Sequence, residues 1–399
     1  METPLANPDI VRLWIIGGAN NLVRWLEILA AGVFTFEVTG SGLAVAAVTA
    51  ARPLPLLLFG ALAGVLSDSI DRRRIQLVGM LVVLAASLAV CLLASLGVVR
   101  PWHVAAAAFV SGCVWSTDMS TRRRMVGDAA APGLVGRVIA VDSLAGALTR
   151  MAGPVAGTAA YSAIGLGGAF ACSAAVMLAN FVLMLGVHHR QDSRKLALSR
   201  VPRDLAEGFA LARGMPVLRA VLGTTVAMNL FAFSYTALVA PIGLLVFATP
   251  VGWVGALAAA EPLGSILGGL ALASRHVDIG PRRLLLGGSS MFALLLGLMP
   301  FAPSFALACA MLVIAGIGLA GFSNMQTTLI LIHAPPAMRS RMMGLTTVCM
   351  GTGPLGLLMT GALADRVGPM AAVQIAAAAT LVVLALVAID WVRASPRGG

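Results

Sequence analysis

The chain has 399 residues, 59% of them hydrophobic and 11% charged, with a mean hydropathy of +0.95. That excludes a soluble globular domain and reads as an integral membrane protein. The net charge of +11 sits in short loops between apolar runs rather than on one polar face, so a nucleic-acid binder is not expected.

A helical span needs about 20 apolar residues, and strand-like alternation is absent, which argues against a β-barrel. The expected spans are 12–36, 43–66, 75–98, 102–121, 138–162, 166–188, 217–246, 251–273, 283–300, 304–330, 342–363 and 369–392. The expected fold class is therefore an all-α integral membrane protein with twelve transmembrane helices.

The first span carries Asn20, Arg24 and Glu27 on one face, with Arg24 able to reach Glu27 at i, i+3. The second holds Arg52 before Pro53 and runs into the stretch Gly60 to Arg74, where Asp68 and Asp71 meet Arg72, Arg73 and Arg74 in a tight loop. The fourth span has no basic residue over Ala106 to Trp115 and ends on Arg122, Arg123 and Arg124. The fifth contains Arg150 and then Gly153, Pro154 and Gly157. There the glycines allow close helix approach and the proline frees a carbonyl, which makes a hinge.

His188 to Arg219 is the one long polar stretch, with amphipathic helical spacing over Val201 to Arg213. It reads as a linker on the cytoplasmic membrane surface and suggests three parts: a bundle over 1–189, a linker over 190–216 and a bundle over 217–399. Beyond it come Asn229, Phe231, Phe233 and Tyr235 in the seventh span, Glu261 before Pro262 in the eighth, and Asn324 and Gln326 in the tenth. Arg341 precedes the eleventh span, which holds Gly353 and Pro354. Asn20, Asn229, Phe231, Phe233, Tyr235, Asn324 and Gln326 are candidate pocket residues.

Arg24, Glu27, Arg52, Arg150 and Glu261 all fall near a predicted midplane. A charge there costs at least ~2.5 kcal/mol, so each is expected to be paired or to face water, and each is a functional candidate. Two roles compete for the acids: carrying a proton as an arginine approaches and leaves, or holding helices in register. Three arginines against two glutamates leave room for an anionic substrate.

The halves also echo each other. At an offset of about 209 residues Pro53 maps onto Pro262, Gly79 onto Gly288, and Arg73-Arg74 onto Arg282-Arg283. Further along, Pro132 and Arg137 map onto Pro336 and Arg341, and Gly153-Pro154 onto Gly353-Pro354. A parallel repeat of this kind points to two homologous six-helix bundles with a site between them, which is transporter architecture. Arginines crowd one side of the expected membrane, placing both termini in the cytoplasm of a multi-pass plasma (inner) membrane protein.

The segment Gly64-Val65-Leu66-Ser67-Asp68-Ser69-Ile70-Asp71-Arg72-Arg73 resembles the loop signature of the major facilitator superfamily, with Ser69 and Asp71 in place of a basic residue and a glycine. Gly153-Pro154-Val155-Ala156-Gly157 is similar to part of that superfamily's antiporter signature. Gly361-Ala362-Leu363-Ala364-Asp365-Arg366 and the P-x4-R elements at Pro132 and Pro336 resemble its drug and siderophore exporter branch. The resemblance implies a cytoplasmic gate built from Asp68, Asp71, Arg72, Arg73, Arg122 and Arg341, and a bridge from Arg150 to Glu261. It also implies a proton-coupled exporter of a small amphipathic or weakly anionic compound that works by alternating access as a monomer. Its partners would be that small-molecule substrate, protons and the lipid bilayer, with no nucleic acid, cofactor or metal. An importer or facilitator, a lipid flippase and a non-transporting sensor share the architecture. A membrane-embedded enzyme does not fit, since no catalytic constellation appears, and an ATP-driven pump is excluded within this chain, since the lone Lys195 lies in no phosphate-binding loop.

Overall fold

The computed structural model describes residues 7–59, 70–131, 134–189, 201–274 and 280–394. Asp68, with the loop signature before Ile70, lies outside those residues, as do Pro132, Lys195 and the first part of the linker.

Among the described residues the regular structure is entirely helical. In chain order the helices are α1 Pro8–Thr39, α2 Gly42–Ala51 continued by a helical stretch over 54–59, α3 Arg72–Ser95 and α4 Pro101–Ala129. A continuous 51-residue stretch, Val135–Leu185, is two helices, because Gly165 at φ 69° breaks it into α5 (135–164) and α6 (166–185). Only glycine enters that region without strain. After it come α7 Val201–Gly214, α8 Pro216–Val246, α9 Val251–Ala273, α10 Arg283–Phe301, α11 Phe305–His333, α12 Pro336–Val367 and α13 Pro369–Ala394.

Among the described residues, the helices other than the amphipathic α7 fall on the expected spans, the second of which is described only to residue 59. Eight described stretches are long and apolar enough to cross a membrane by length and composition, the α5–α6 pair counting as one. α1 and α4 are not among these eight, and the Gly42–Ala51 part of α2 is a shorter apolar helix. Large apolar side chains such as Leu81, Leu88 and Leu92 on α3 and Val382 and Leu386 on α13 face outward, as lipid requires.

Local chemistry sets the helix ends. Asn7 caps α1 by accepting from the Asp9 amide at 3.0 Å, with Pro8 at the first position, and Gly40 closes the helix at φ 63°. Asp71 caps α3 by accepting from the Arg74 amide at 3.1 Å. α8 departs from regularity: its α-helical part ends at Leu230, a 3₁₀ stretch covers Ala232–Leu238 and a π turn covers Ile242–Val246.

The described residues form two compact units. One takes residues within Met1–Gly40, Ala51–Leu198 and Val251–Gly255, and the other those within Ser41–Ala50, Ser199–Pro250 and Ala256–Gly399. The chain thus changes unit within α2, at Ala51, and again within α9. In the first unit Ile10, Leu13, Ile16, Met80, Met125, Val138 and Met184 form a core across α1 and α3 to α6. In the second, Phe233 packs edge-on against Phe292 and Phe322, with ring centroids 5.8 and 6.1 Å away.

The internal repeat reappears as the same packing inside each unit. Gly112 of α4 lies so close to the Arg52 carbonyl of α2 that no Cβ would fit, and Gly316 of α11 lies the same way against the Glu261 carbonyl of α9. Gly79 of α3 packs on Val114 of α4, and Gly288 of α10 on Gly318 of α11. Gly153 and Gly157 seat α5 on the α1 backbone at Leu22 to Leu26, and Gly356 seats α12 on α8 at Leu230. Small residues allow this approach where side chains would hold helices apart.

Candidate functional site

Glu27 is 2% exposed and lies at the centre of the first unit's charges. Its carboxylate is paired with the Arg52 guanidinium and accepts from the Ser87 hydroxyl at 2.9 Å, so one buried acid ties α1, α2 and α3 together. A buried charge survives only with a partner and saturated hydrogen bonds. Arg52 stands where α2 is interrupted: the helix stops at Ala51 and resumes at 54, beyond Pro53.

Arg24 does not take Glu27, although both lie on one face of α1. Its guanidinium carbon instead sits 4.9 Å from the Trp25 ring centroid and 4.8 Å from that of Trp115 in α4. Arg150 of α5 lies over the Trp25 ring at 5.6 Å. Indole faces attract cations through their quadrupole, which lets two arginines share one patch. Arg52, Arg150 and Asp118 all act electrostatically on Arg24, so Arg24, Glu27, Arg52 and Arg150 form one cluster within the first unit.

Toward the predicted cytoplasmic end, Arg122 lies across Gly17 and is paired with Asp142 of α5, with Asp118 3.9 Å away. Besides Asp71 as the cap of α3, Arg72 pairs with Asp128 at 2.7 Å and Arg73 donates to the Leu185 carbonyl at 2.7 Å, fastening α3 to α4 and α6. A small cavity of about 160 Å³ opens here, lined by Asp9, Asp128, His188 and His189 among others. Burial pushes His189 below its ordinary value, against the pull of Asp128. This cavity is far from Glu27, since Asp9 and Glu27 are about 27 Å apart along α1 at 1.5 Å per residue.

In the second unit Arg341 pairs with Glu207 of α7, docking that helix on the start of α12. The hydrogen bond from Arg203, with Arg341 close by, holds Glu207 below the usual carboxylate range. Glu261 is 2% exposed and its backbone is wedged against Gly316. Gln326 donates to the Thr225 hydroxyl at 2.8 Å, while the Asn229 and Asn324 amides turn back to carbonyls of their own helices. Tyr235 and Phe233 belong to the aromatic core around Phe292, Phe231 is half-buried where the regular part of α8 ends, and Asn324 is exposed. In the first unit, Asn20 accepts from the Asn180 amide at 2.8 Å. Pro154 lies inside continuous α5, whereas Gly353 and Pro354 follow an interruption of α12 at Gly351-Thr352.

Sequence reasoning passed over Ser87, Trp115, Asp142 and the role of Asp365. Asp365, near the end of α12, accepts from the Ser41 hydroxyl at 2.7 Å and from the Gly42 amide at 2.6 Å, with the Leu43 amide at 3.3 Å. It therefore caps α2 from another helix, where the helix dipole favours an anion. A signal existed for Asp142, an acid inside the apolar run Val138 to Leu144. None existed for Ser87, whose role depends on its place opposite Glu27.

Over residues 2–395 the chain matches the family described as transmembrane secretion effectors. The multidrug efflux pump Tap of Mycolicibacterium fortuitum is 27% identical over 376 residues, covering 89% of this chain and 88% of Tap. Among solved structures, the nucleoside transporter NupG superposes with a TM-score of 0.76 at 13% identity, over 96% of this chain and 98% of that one. A bacterial homolog of the human lysosomal transporter Spinster, inward-facing and occupied, gives 0.74 at 14% identity, over 98% and 97%. A family match running almost end to end, on a helical fold shared with these solved transporters, shows that the chain belongs to the transmembrane secretion effector family, membrane transporters of the major facilitator type.

Proposed function

We propose that the protein is a proton-coupled exporter of small amphipathic compounds, working by alternating access as a monomer in the plasma (inner) membrane with both termini in the cytoplasm. The observation that carries this reading is the buried Glu27–Arg52 pair, placed where α2 is interrupted and where the chain passes from one compact unit to the other. Movement of one unit against the other would bend α2 at Arg52-Pro53 and draw the guanidinium away from Glu27. A carboxylate left unpaired in apolar surroundings is too costly to keep charged, so it takes a proton; when Arg52 returns, the proton leaves.

The outer end of α2 supplies a latch in the same reading. Asp365 grips the Ser41–Leu43 start of the helix, so its release would free the segment that leads to Arg52. The efflux activity of Tap supports outward transport, and the arginines crowding one face support the orientation.

The test is proton movement in proteoliposomes when a panel of amphiphiles is added under a pH gradient. The parent protein should show substrate-triggered proton flux, and Glu27→Gln should abolish it while still eluting as a folded species. Glu261→Gln, run beside it, asks whether the second unit's buried acid shares the task. Undiminished flux in Glu27→Gln would remove Glu27 from the coupling step.

A further inference from the structure

At one end of the second unit the termini of three helices meet around a buried tryptophan. Arg282, just before α10, lies over the Trp391 ring of α13, its guanidinium carbon 5.3 Å from the centroid. Arg219 of α8 grips the neighbouring Asp390 through Nε at 3.0 Å and Nη2 at 3.2 Å, and donates from Nη1 to the Arg213 carbonyl of α7 at 2.6 Å. Asp390 is the only acid that α8, α10 and α13 carry, and Arg219 takes it with both donors. Arg282, Arg283 and Arg393 stand at the same helix ends with no acid paired to them among the described residues, and Arg283 and Arg393 are exposed.

The lipid-facing wall of α13 runs into this patch. Val382, Leu386 and Ile389 are exposed at i, i+4 and i+7, and Arg393 continues the same stripe one turn further on. We infer that this corner is a headgroup seat for an anionic phospholipid, its phosphate diester held by Arg282, Arg283 and Arg393 and an acyl chain laid along the α13 stripe. Guanidinium donors match phosphate oxygens in pairs, and the indole face of Trp391 holds the Arg282 guanidinium in place. A zwitterionic lipid brings an ammonium to a patch whose single carboxylate is already occupied. A soluble anion gains the charge contacts but leaves the apolar stripe unused. Basic clusters between helices at a membrane surface select anionic lipids for this reason.

The test is native mass spectrometry of the purified full chain, released from a neutral detergent containing equimolar dioleoylphosphatidylglycerol and dioleoylphosphatidylcholine. The first lipid retained should be phosphatidylglycerol, favoured by about 10- to 100-fold. The double variant Arg283→Gln/Arg393→Gln, which alters two exposed side chains, should lower that preference by about 10-fold. Arg100→Gln/Arg137→Gln removes the same charge from exposed positions of the first unit and should leave it intact. Equal retention of the two lipids, or a preference that survives the first double variant, would overturn the inference. So would a preference lost equally in both double variants, or displacement of the lipid by millimolar inorganic phosphate, which would mark a site for small anions. The parent chain's choice between the two lipids needs no variant, so a poorly folded mutant leaves the question decided. The seat lies in the second unit and the Glu27–Arg52 pair in the first, so failure of either proposal leaves the other standing.

Discussion

Arg52→Met should destabilise the protein by about 3–5 kcal/mol, and adding Glu27→Gln to it should recover most of that loss. Glu27 and Arg52 are 2% and 6% exposed. Removing the arginine strands a carboxylate whose one remaining hydrogen bond comes from Ser87. Methionine keeps most of the side chain's apolar volume, so the cost falls on the charge and not on a cavity. Glu27→Gln then removes the stranded charge and leaves an amide that still accepts from Ser87. Thermal unfolding of the two single variants and the double variant gives the coupling energy directly. If Arg52→Met alone proves as stable as the double variant, the pair is not the buried partnership described here.

The second large effect concerns backbone contact. In Gly112→Ala and Gly316→Ala the new methyl would land on the carbonyls of Arg52 and Glu261, which are main-chain atoms and cannot rotate aside. Overpacking of this kind costs about 1–3 kcal/mol, and the helix pairs α2–α4 and α9–α11 should move apart. Gly127→Ala, also on α4 but with open space at its Cβ position, should stabilise by about 0.5–1 kcal/mol through helix propensity. Unfolding temperatures of all three variants check the contrast. A neutral Gly112→Ala beside a neutral Gly316→Ala would contradict the close approach in both units.

These cases show which parts of the molecule were legible in the sequence. Span positions were, because hydropathy over about 20 residues is a local quantity, and the kink at Gly165 falls where a loop was expected between the fifth and sixth spans. The repeat was also legible: the echo of Pro53 in Pro262 is carried by equivalent carbonyls one residue earlier, each packed on a glycine. Partners across helices were not. Spacing on α1 offered Arg24 to Glu27, yet Arg52, 25 residues away, takes the acid, while Arg24 turns to a tryptophan on α4. Asp365 caps a helix whose first residue is 323 positions earlier, a relation that no local pattern encodes.

Accumulation of amphiphiles by inside-out membrane vesicles with an acidified lumen tests coupled export most directly. The account predicts uptake above the outside concentration, collapse of that uptake on adding a protonophore, and no accumulation in vesicles carrying Glu27→Gln. Uptake that only equilibrates, or that persists at full extent without the proton gradient, would contradict it.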